Sequence, residues 1–245
     1  MIDEHYVNQK LANLYDANNP WSVDRDFYLA LAPATQIDIL DLGCGTGLIC
    51  NAFAERGHKV TGVDPALQML NVARQKPYGS EIEWVCSTAQ AFRSNKCFDL
   101  IIMTGHAFQV LLTDADVAAA CASMWMHLKP HGRVVFESRN PDLDWTELWN
   151  HEFNIKSDDK LTKESRHFKL ILNAGEFTNF EVQYRLANET LTSRSQLRFM
   201  SLTTIADHLN SAGLQVETVL GEWTGEQFDP RRSHEMIFFA GHIGK

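Results

Sequence analysis

Residues 37–48 read Ile-Asp-Ile-Leu-Asp-Leu-Gly-Cys-Gly-Thr-Gly-Leu, an apolar strand that runs directly into three glycines at alternate positions and then into a helix. No other stretch narrows the choice of fold as much. Gly43, Gly45 and Gly47 can take positive φ and carry no Cβ, so a ligand can lie on the turn and face the free N–H groups of the following helix. Asp64 ends the next strand about twenty residues on, where a carboxylate can accept hydrogen bonds from a ribose.

Around this turn the pattern alternates. Ile37–Leu42 is expected as a strand, Leu48–Arg56 as a helix closed by Gly57, Lys59–Asp64 as a strand, and Ala66–Arg74 as a helix opened by Pro65. Short strands follow at Ile82–Val85 and Phe98–Met103. An Ala-rich helix runs from about Asp114 to Leu128, and a strand at Arg133–Ser138 follows the Pro130-His131-Gly132 turn. Such alternation predicts a doubly wound α/β fold, a parallel sheet with helices on both faces. Ahead of it, residues 1–34 read as two helices broken at Asn18-Asn19-Pro20, with Ser22 or Asp24 capping the second.

The alternation stops at Pro141. From about His151 to Met200 come β-rich runs at Ser165–Leu172, Phe177–Leu186 and Thr190–Phe199, with turn signals at Asn173-Ala174-Gly175 and Asn188-Glu189, which predict an antiparallel β insertion. A helix at Thr203–Ser211, stopped by Gly213, and strands at Leu214–Leu220 and Glu235–Ala240 close the chain. The expected division is a helical cap over 1–35, a core over 36–140 and 201–245, and an insert over 141–200.

Charge and cysteine usage exclude several classes. A net charge of −9, with Lys and Arg scattered over 245 residues, is not the concentrated positive field that a nucleic-acid groove needs. Cys44, Cys50, Cys86, Cys97 and Cys121 show no Cys-x-x-Cys spacing, so neither a disulfide framework nor a zinc site is expected, which fits a reducing cytoplasm. No basic leader or membrane-length apolar run is evident, and a soluble, unprocessed monomer or homodimer is expected.

The spacing of the glycines separates two ligand classes. A dinucleotide fingerprint would place its third glycine where this chain has Leu48; here Asp41 precedes an Asp-x-Gly-x-Gly-x-Gly run. That run resembles motif I of the class I S-adenosylmethionine-dependent methyltransferases. Val60-Thr61-Gly62-Val63-Asp64 resembles the family's second motif, Phe98-Asp99-Leu100-Ile101-Ile102 its fourth strand, and Leu128–Val135 the approach to its fifth. Ser201-Leu202-Thr203 through Gly213-Leu214, ending in Glu235–Phe239, resembles its closing helix and hairpin. The resemblance implies a Rossmann-like, seven-stranded, mostly parallel sheet and S-adenosylmethionine as cofactor, with adenosylhomocysteine as product. It implies cofactor contacts from Asp41, Gly43, Cys44, Gly45, Gly47, Asp64, Pro65, Met103, Thr104 and Tyr15. The family often shows Gly-Asp-Ala after the third strand, whereas this chain has Ser87-Thr88-Ala89, so Thr88, backbone groups around Ala89, or Gln90 would have to meet the adenine. Asp64 can equally cap the helix after Pro65, and both roles can hold together.

Methyl transfer from a sulfonium mainly needs alignment and exclusion of water. A base helps when the acceptor is a hydroxyl or an ammonium. His106 and Gln109, just beyond the fourth strand, are the candidate base and orienter; His106 can alternatively cap a helix or line the methionine end. Arg139, after the fifth strand, can pair with an acidic substrate or with Glu137 or Asp142. Tyr6, Tyr15 and Trp21 can close the pocket from above. The fourth strand ends Met103-Thr104-Gly105-His106, without the acids that magnesium-dependent relatives use, so no metal is expected. The resulting expectation is a methyltransferase acting on oxygen or nitrogen of a small molecule, with a non-catalytic cofactor-binding protein or a nicotinamide-dependent oxidoreductase as alternatives.

Overall fold

In the computed structural model, residues 3–146, 152–154, 165–186 and 188–244 are described. The chain opens with one-turn helices α1 (Glu4–Val7), α2 (Gln9–Asn13) and α3 (Tyr15–Asn18), then α4 (Val23–Ala30). The first of the two expected N-terminal helices is therefore split into three. Asn8 starts α2 by accepting the Lys10 N–H at 3.0 Å, and this local cap competes with a continuous helix. Ser22 stands at the N-cap of α4 but spends its hydroxyl on Asp24.

The core follows as β1 (Asp38–Leu42), α5 (Leu48–Glu55), β2 (Lys59–Asp64), α6 (Leu67–Ala73), β3 (Glu83–Cys86), β4 (Phe98–Met103), a 3₁₀ turn at Ala107–Val110, α7 (Asp114–His127) and β5 (Leu128–Arg139). The insert contributes β6 (Glu152–Asn154), β7 (Ser165–Ala174), β8 (Phe177–Arg185) and β9 (Thr190–Arg198). The chain closes with α8 (Leu202–Ser211), β10 (Leu214–Leu220) and β11 (Glu235–His242).

Seven strands form one sheet in the order β10-β11-β5-β4-β1-β2-β3, parallel except for β11, which runs against both β5 and β10. Strand β1 is central because Ile39, Leu40 and Leu42 are all buried; a continuous apolar run suits a strand covered on both faces. From β1 the chain builds outward through β2 and β3 and then crosses to β4 on the other side, so the order reverses between β1 and β4, and ligands of such sheets bind outside the carboxyl ends of these two strands. On one face Leu40, Ile101, Phe108, Phe136 and Phe238 pack together with α7 and α8. The stacked rings of Phe108 and Phe136 lie 4.3 Å apart. The other face buries Ile39, Phe53, Ile102, Val135 and Ile237 under α4 and α5.

Strand β5 departs from expectation. It begins at Leu128 and runs through Pro130-His131-Gly132, which form an irregularity inside the strand: Phe98 pairs with Leu128, yet Leu100 pairs with Arg133. The slip packs Gly132 against β4, where an added Cβ would sit 2.8 Å from the Phe98 carbonyl oxygen. Lys129 Nζ anchors the same bulge to Asp38 at 2.5 Å and Asp99 at 2.7 Å.

The insert forms an antiparallel sheet in the order β6-β7-β8-β9. Its first hairpin turns at Gly175 (φ 61°) rather than over Asn173-Ala174-Gly175, because β7 continues to Ala174. Arg198, at the end of β9, pairs with Glu176 at 2.8 Å and with Asp114 of α7 at 2.7 Å and so ties this sheet to the core. Residues 147–151 and 155–164 of the expected insert, His151 included, lie outside the described residues.

Candidate functional site

All three glycines of the turn are left-handed, with φ of 79°, 54° and 68° at Gly43, Gly45 and Gly47. The Gly43 and Cys44 N–H groups donate to Val63 O at 2.7 and 3.0 Å, so the turn is tied to the end of β2. An added Cβ at Gly43 would lie 2.9 Å from Ala107 Cβ, which means that the turn and the loop after β4 touch. At Gly47 it would lie 2.3 Å from the Trp84 ring. Gly47→Ala is expected to destabilise the fold by about 2–4 kcal/mol, the sum of left-handed strain and overpacking. A denaturant titration against the unsubstituted protein checks this.

Asp64 is buried at the end of β2. Its Oδ2 accepts the Gly45 N–H at 2.9 Å and its Oδ1 the Ala66 N–H at 2.8 Å. Burial raises its pKa, and these two hydrogen bonds oppose the rise. The carboxylate thus orders both the glycine turn and the entry to α6, and two of its roughly four acceptor positions are left for a diol.

Asp41, on β1 beneath the turn, is completely buried. Its Oδ2 accepts a hydrogen bond from Cys50 Sγ at 3.2 Å, and its Oδ1 has no partner among the described residues. Burial lifts its pKa to about 7; the Cys50 thiol lowers it, and Asp64 and Glu137 add to the rise. A buried carboxylate with one unsatisfied oxygen matches a cationic ligand group.

Residues at the expected adenine edge have local partners. Thr88 is exposed and its Oγ1 accepts the Ala91 N–H at 3.2 Å, while Gln90 Nε2 donates to Asp116 of α7 at 3.1 Å. Ala89 is buried between them, leaving its backbone as the closer match to a flat heterocycle. Cys44 is buried, and burial pushes its thiol up to about 11, so it is a packing group rather than a nucleophile. Pro65 is half-buried in the turn between Asp64 and α6. Tyr15 stands 4.0 Å from the Cβ position of Gly45, its ring 6.2 Å from that of Tyr6, and both pack on Ala66 and Met69. Asp16 fastens this cap to the turn through Thr46 and to the segment after α6 through Lys76. Trp21 points away: it is 39% exposed and donates from Nε1 to Asp26 at 2.7 Å.

Beside the turn, β4 ends in buried Met103 and half-buried Thr104 and then turns through Gly105 and His106, both left-handed. His106, at φ 59°, is the only non-glycine residue with positive φ among the described residues. Such strain is a pointer to function when neighbours hold it in place. Two carboxylates do so here. Glu137 Oε1, on β5, accepts the His106 backbone N–H at 2.7 Å, and Glu235, on β11, lies with its two oxygens 3.0 and 2.9 Å from His106 Nε2. Tyr28 of α4 hydrogen-bonds to the other oxygen of Glu137. Burial raises the pKa of Glu137 against the opposing pull of His106 and Tyr28. For Glu235 burial also pushes upward, but His106, Arg139 and His234 outweigh it and hold the carboxyl below its ordinary range.

Gln109 differs from its expected role. It is wholly buried, with Oε1 accepting from Arg139 Nη1 at 2.9 Å and Nε2 donating to Arg198 O at 3.3 Å, so it orients Arg139 rather than an acceptor. The Arg139 guanidinium carbon lies 5.7 Å from the Trp145 ring centre, and its charge reaches Glu235 and Glu137, the second of these one of the two acids expected to pair with it. Tyr28 and Glu235 are the functional neighbours that sequence reasoning missed. For Glu235 a signal existed: a strand antiparallel to β5 starts where β5 ends, and the register sets Glu235 against Arg139.

Residues 39–132 match the model of a methyltransferase domain family. The chain is 35% identical over 226 residues to the putative methyltransferase YqeM of Bacillus subtilis, covering 84% of each chain. It is 29% identical over 156 residues to a ubiquinone biosynthesis O-methyltransferase of Bradyrhizobium diazoefficiens, 55% of this chain and 58% of that one. The chain spans about half the length of the first such relatives it matches, 44% and 43% of those from Rickettsia canadensis and Idiomarina loihiensis. Among solved structures, Streptomyces venezuelae DesVI superposes with a TM-score of 0.79 at 20% identity, over 95% of this chain and 98% of that one. The S-adenosylmethionine-bound CalS10 of Micromonospora echinaspora, an amino pentose methyltransferase, gives 0.72 at 22%, over 94% and 95%.

Proposed function

Since the chain belongs to the class I S-adenosylmethionine-dependent methyltransferases, we propose that it moves a methyl group from S-adenosylmethionine to an oxygen or nitrogen of a small molecule, with His106 receiving the acceptor's proton. One observation carries this reading: the glycine turn touches the loop that holds His106 in its left-handed conformation. Donor and base then lie on the two walls of one crevice.

The residues present fit the donor. Asp64 offers unused acceptor positions to the ribose hydroxyls, Asp41 Oδ1 offers its unsatisfied oxygen to the methionine ammonium, and the backbone around Ala89 meets the adenine. The bound sulfonium supplies an electrophilic methyl: an acceptor lone pair forms the new bond as the C–S bond breaks and its electrons return to sulfur. The chain's own part is to align the acceptor, exclude water and hold a proton. The cap ahead of β1 and strands β8 and β9 of the insert, joined where Leu11 packs on Val182 and Tyr184, serve as covers, and Arg139, stiffened by Gln109, serves the acceptor. The glycine spacing disfavours a nicotinamide dinucleotide at the same turn.

Asp41 gives this reading a pH signature. In the free chain it keeps its proton below about pH 7 and loses it above. A cationic ammonium favours the ionised carboxylate, so binding of S-adenosylmethionine at pH 6 is expected to expel a proton, and binding at pH 8.5 to expel none from this group. Affinity falls as the pH drops through 7. Calorimetric titration in buffers of different ionisation enthalpy reads the proton count directly. No binding at either pH, with NAD binding instead, would overturn the proposal.

A further inference from the structure

We infer that Glu235 fixes the tautomer of His106, holding the proton on Nε2 so that Nδ1 is the atom that accepts the proton from the methyl acceptor. The inference rests on the reading of His106 as the proton acceptor.

Nε2 lies nearly equidistant from both Glu235 oxygens, at 3.0 and 2.9 Å, as a single N–H donor shared by a carboxylate does. An ionised carboxylate only accepts, so the neutral ring must carry its proton on Nε2. Burial works against ionisation of Glu235, and the hydrogen bond from the His106 ring and the charge of Arg139 favour it. Nδ1 has no partner among the described residues. The groups that bear on the ring come from every neighbouring element: Glu235 on β11, His234 just before it, Glu137 and Arg139 on β5, and Tyr28 on α4 through Glu137.

The two carboxylates divide the work. Glu137 holds the backbone N–H of His106 at 2.7 Å in its left-handed conformation, and Glu235 holds the ring. The acceptor's lone pair takes the methyl, the C–S electrons return to sulfur, and the acceptor's proton passes to Nδ1. The resulting imidazolium sits against the Glu235 carboxylate, which balances its charge. Glu235 is a positioning residue because it acts through His106.

Long-range proton–nitrogen correlation spectra of the ¹⁵N-labelled full chain report the tautomer of each imidazole, with His106 assigned by the signal lost in His106→Asn. The expected result is a neutral His106 ring protonated on Nε2. Glu235→Gln removes the charge and offers the ring an amide that can donate as well as accept, so it is expected to turn the single Nε2-protonated form into a mixture of the two tautomers. An Nδ1-protonated or mixed ring in the unsubstituted protein, or a ring that keeps its single tautomer in Glu235→Gln, would overturn the inference. If Glu235→Gln does not fold, the tautomer of the unsubstituted protein decides. Methyl transfer by His106→Asn tests the parent reading separately: undiminished transfer would sink His106 as the base while leaving the hold of Glu235 on its ring intact.

Discussion

Asp64→Ala is expected to weaken S-adenosylmethionine binding roughly 30- to 150-fold. The figure follows from about 2–3 kcal/mol for two charge-assisted hydrogen bonds to a ribose diol, at 1.4 kcal/mol per decade. The substitution also leaves the Gly45 and Ala66 N–H groups without their acceptor, and these donors order the glycine turn and the entry to α6. Thermal unfolding must therefore accompany the binding measurement. Asp64→Asn supplies the control, because its side-chain carbonyl can still accept the Ala66 N–H while the negative charge is gone. Its affinity should fall between the two. If calorimetry on folded Asp64→Ala shows less than about a threefold loss, the ribose is not bound at β2.

His106→Asn carries the other large effect. Removing a positioned general base typically costs about 10²- to 10⁴-fold in turnover. Asparagine is chosen because it tolerates the left-handed conformation that His106 adopts at φ 59°. The backbone N–H can still donate to Glu137, so the loop after β4 should survive. Turnover is expected to drop within that range while affinity for S-adenosylmethionine stays within about twofold, a loss confined to the transition state. Steady-state kinetics with a methyl-accepting amine or alcohol separates the two parameters. A fall in donor affinity with unchanged turnover would mean that His106 lines the methionine end and takes no proton.

The core was legible because its signals are local. Three glycines at alternate positions between a strand and a helix need only a single turn to explain them, and the turn is left-handed at all three. The apolar run of β1 suited a strand covered on both faces, and the alternation pointed to a parallel sheet; the reversal of build direction at β4 is seen only in the fold. The bulge at Pro130-His131-Gly132 was misread as a turn because its cause is a contact between strands: Gly132 packs on the Phe98 carbonyl. Position in sequence placed His106, Glu137 and Arg139 at the carboxyl end of the sheet, where they lie. It did not show their partners. Tyr28 lies 109 residues from Glu137 and Glu235 lies 129 from His106, so these hydrogen bonds exist only once α4 and β11 have packed. Gln109 shows the same limit, since a polar side chain beyond a strand looks available until burial commits its amide to Arg139 and Arg198.

The central claim is that one crevice holds the methyl donor on the glycine turn and the proton acceptor on the loop after β4. A crystal structure of the chain with S-adenosylmethionine tests it most directly. The account predicts the ribose hydroxyls on Asp64, the ammonium on Asp41 and the methyl carbon about 4–6 Å from His106 Nδ1, the span bridged by one acceptor atom in hydrogen-bond reach of the base. A donor bound at this turn with its methyl directed away from His106, beyond about 10 Å, would contradict it.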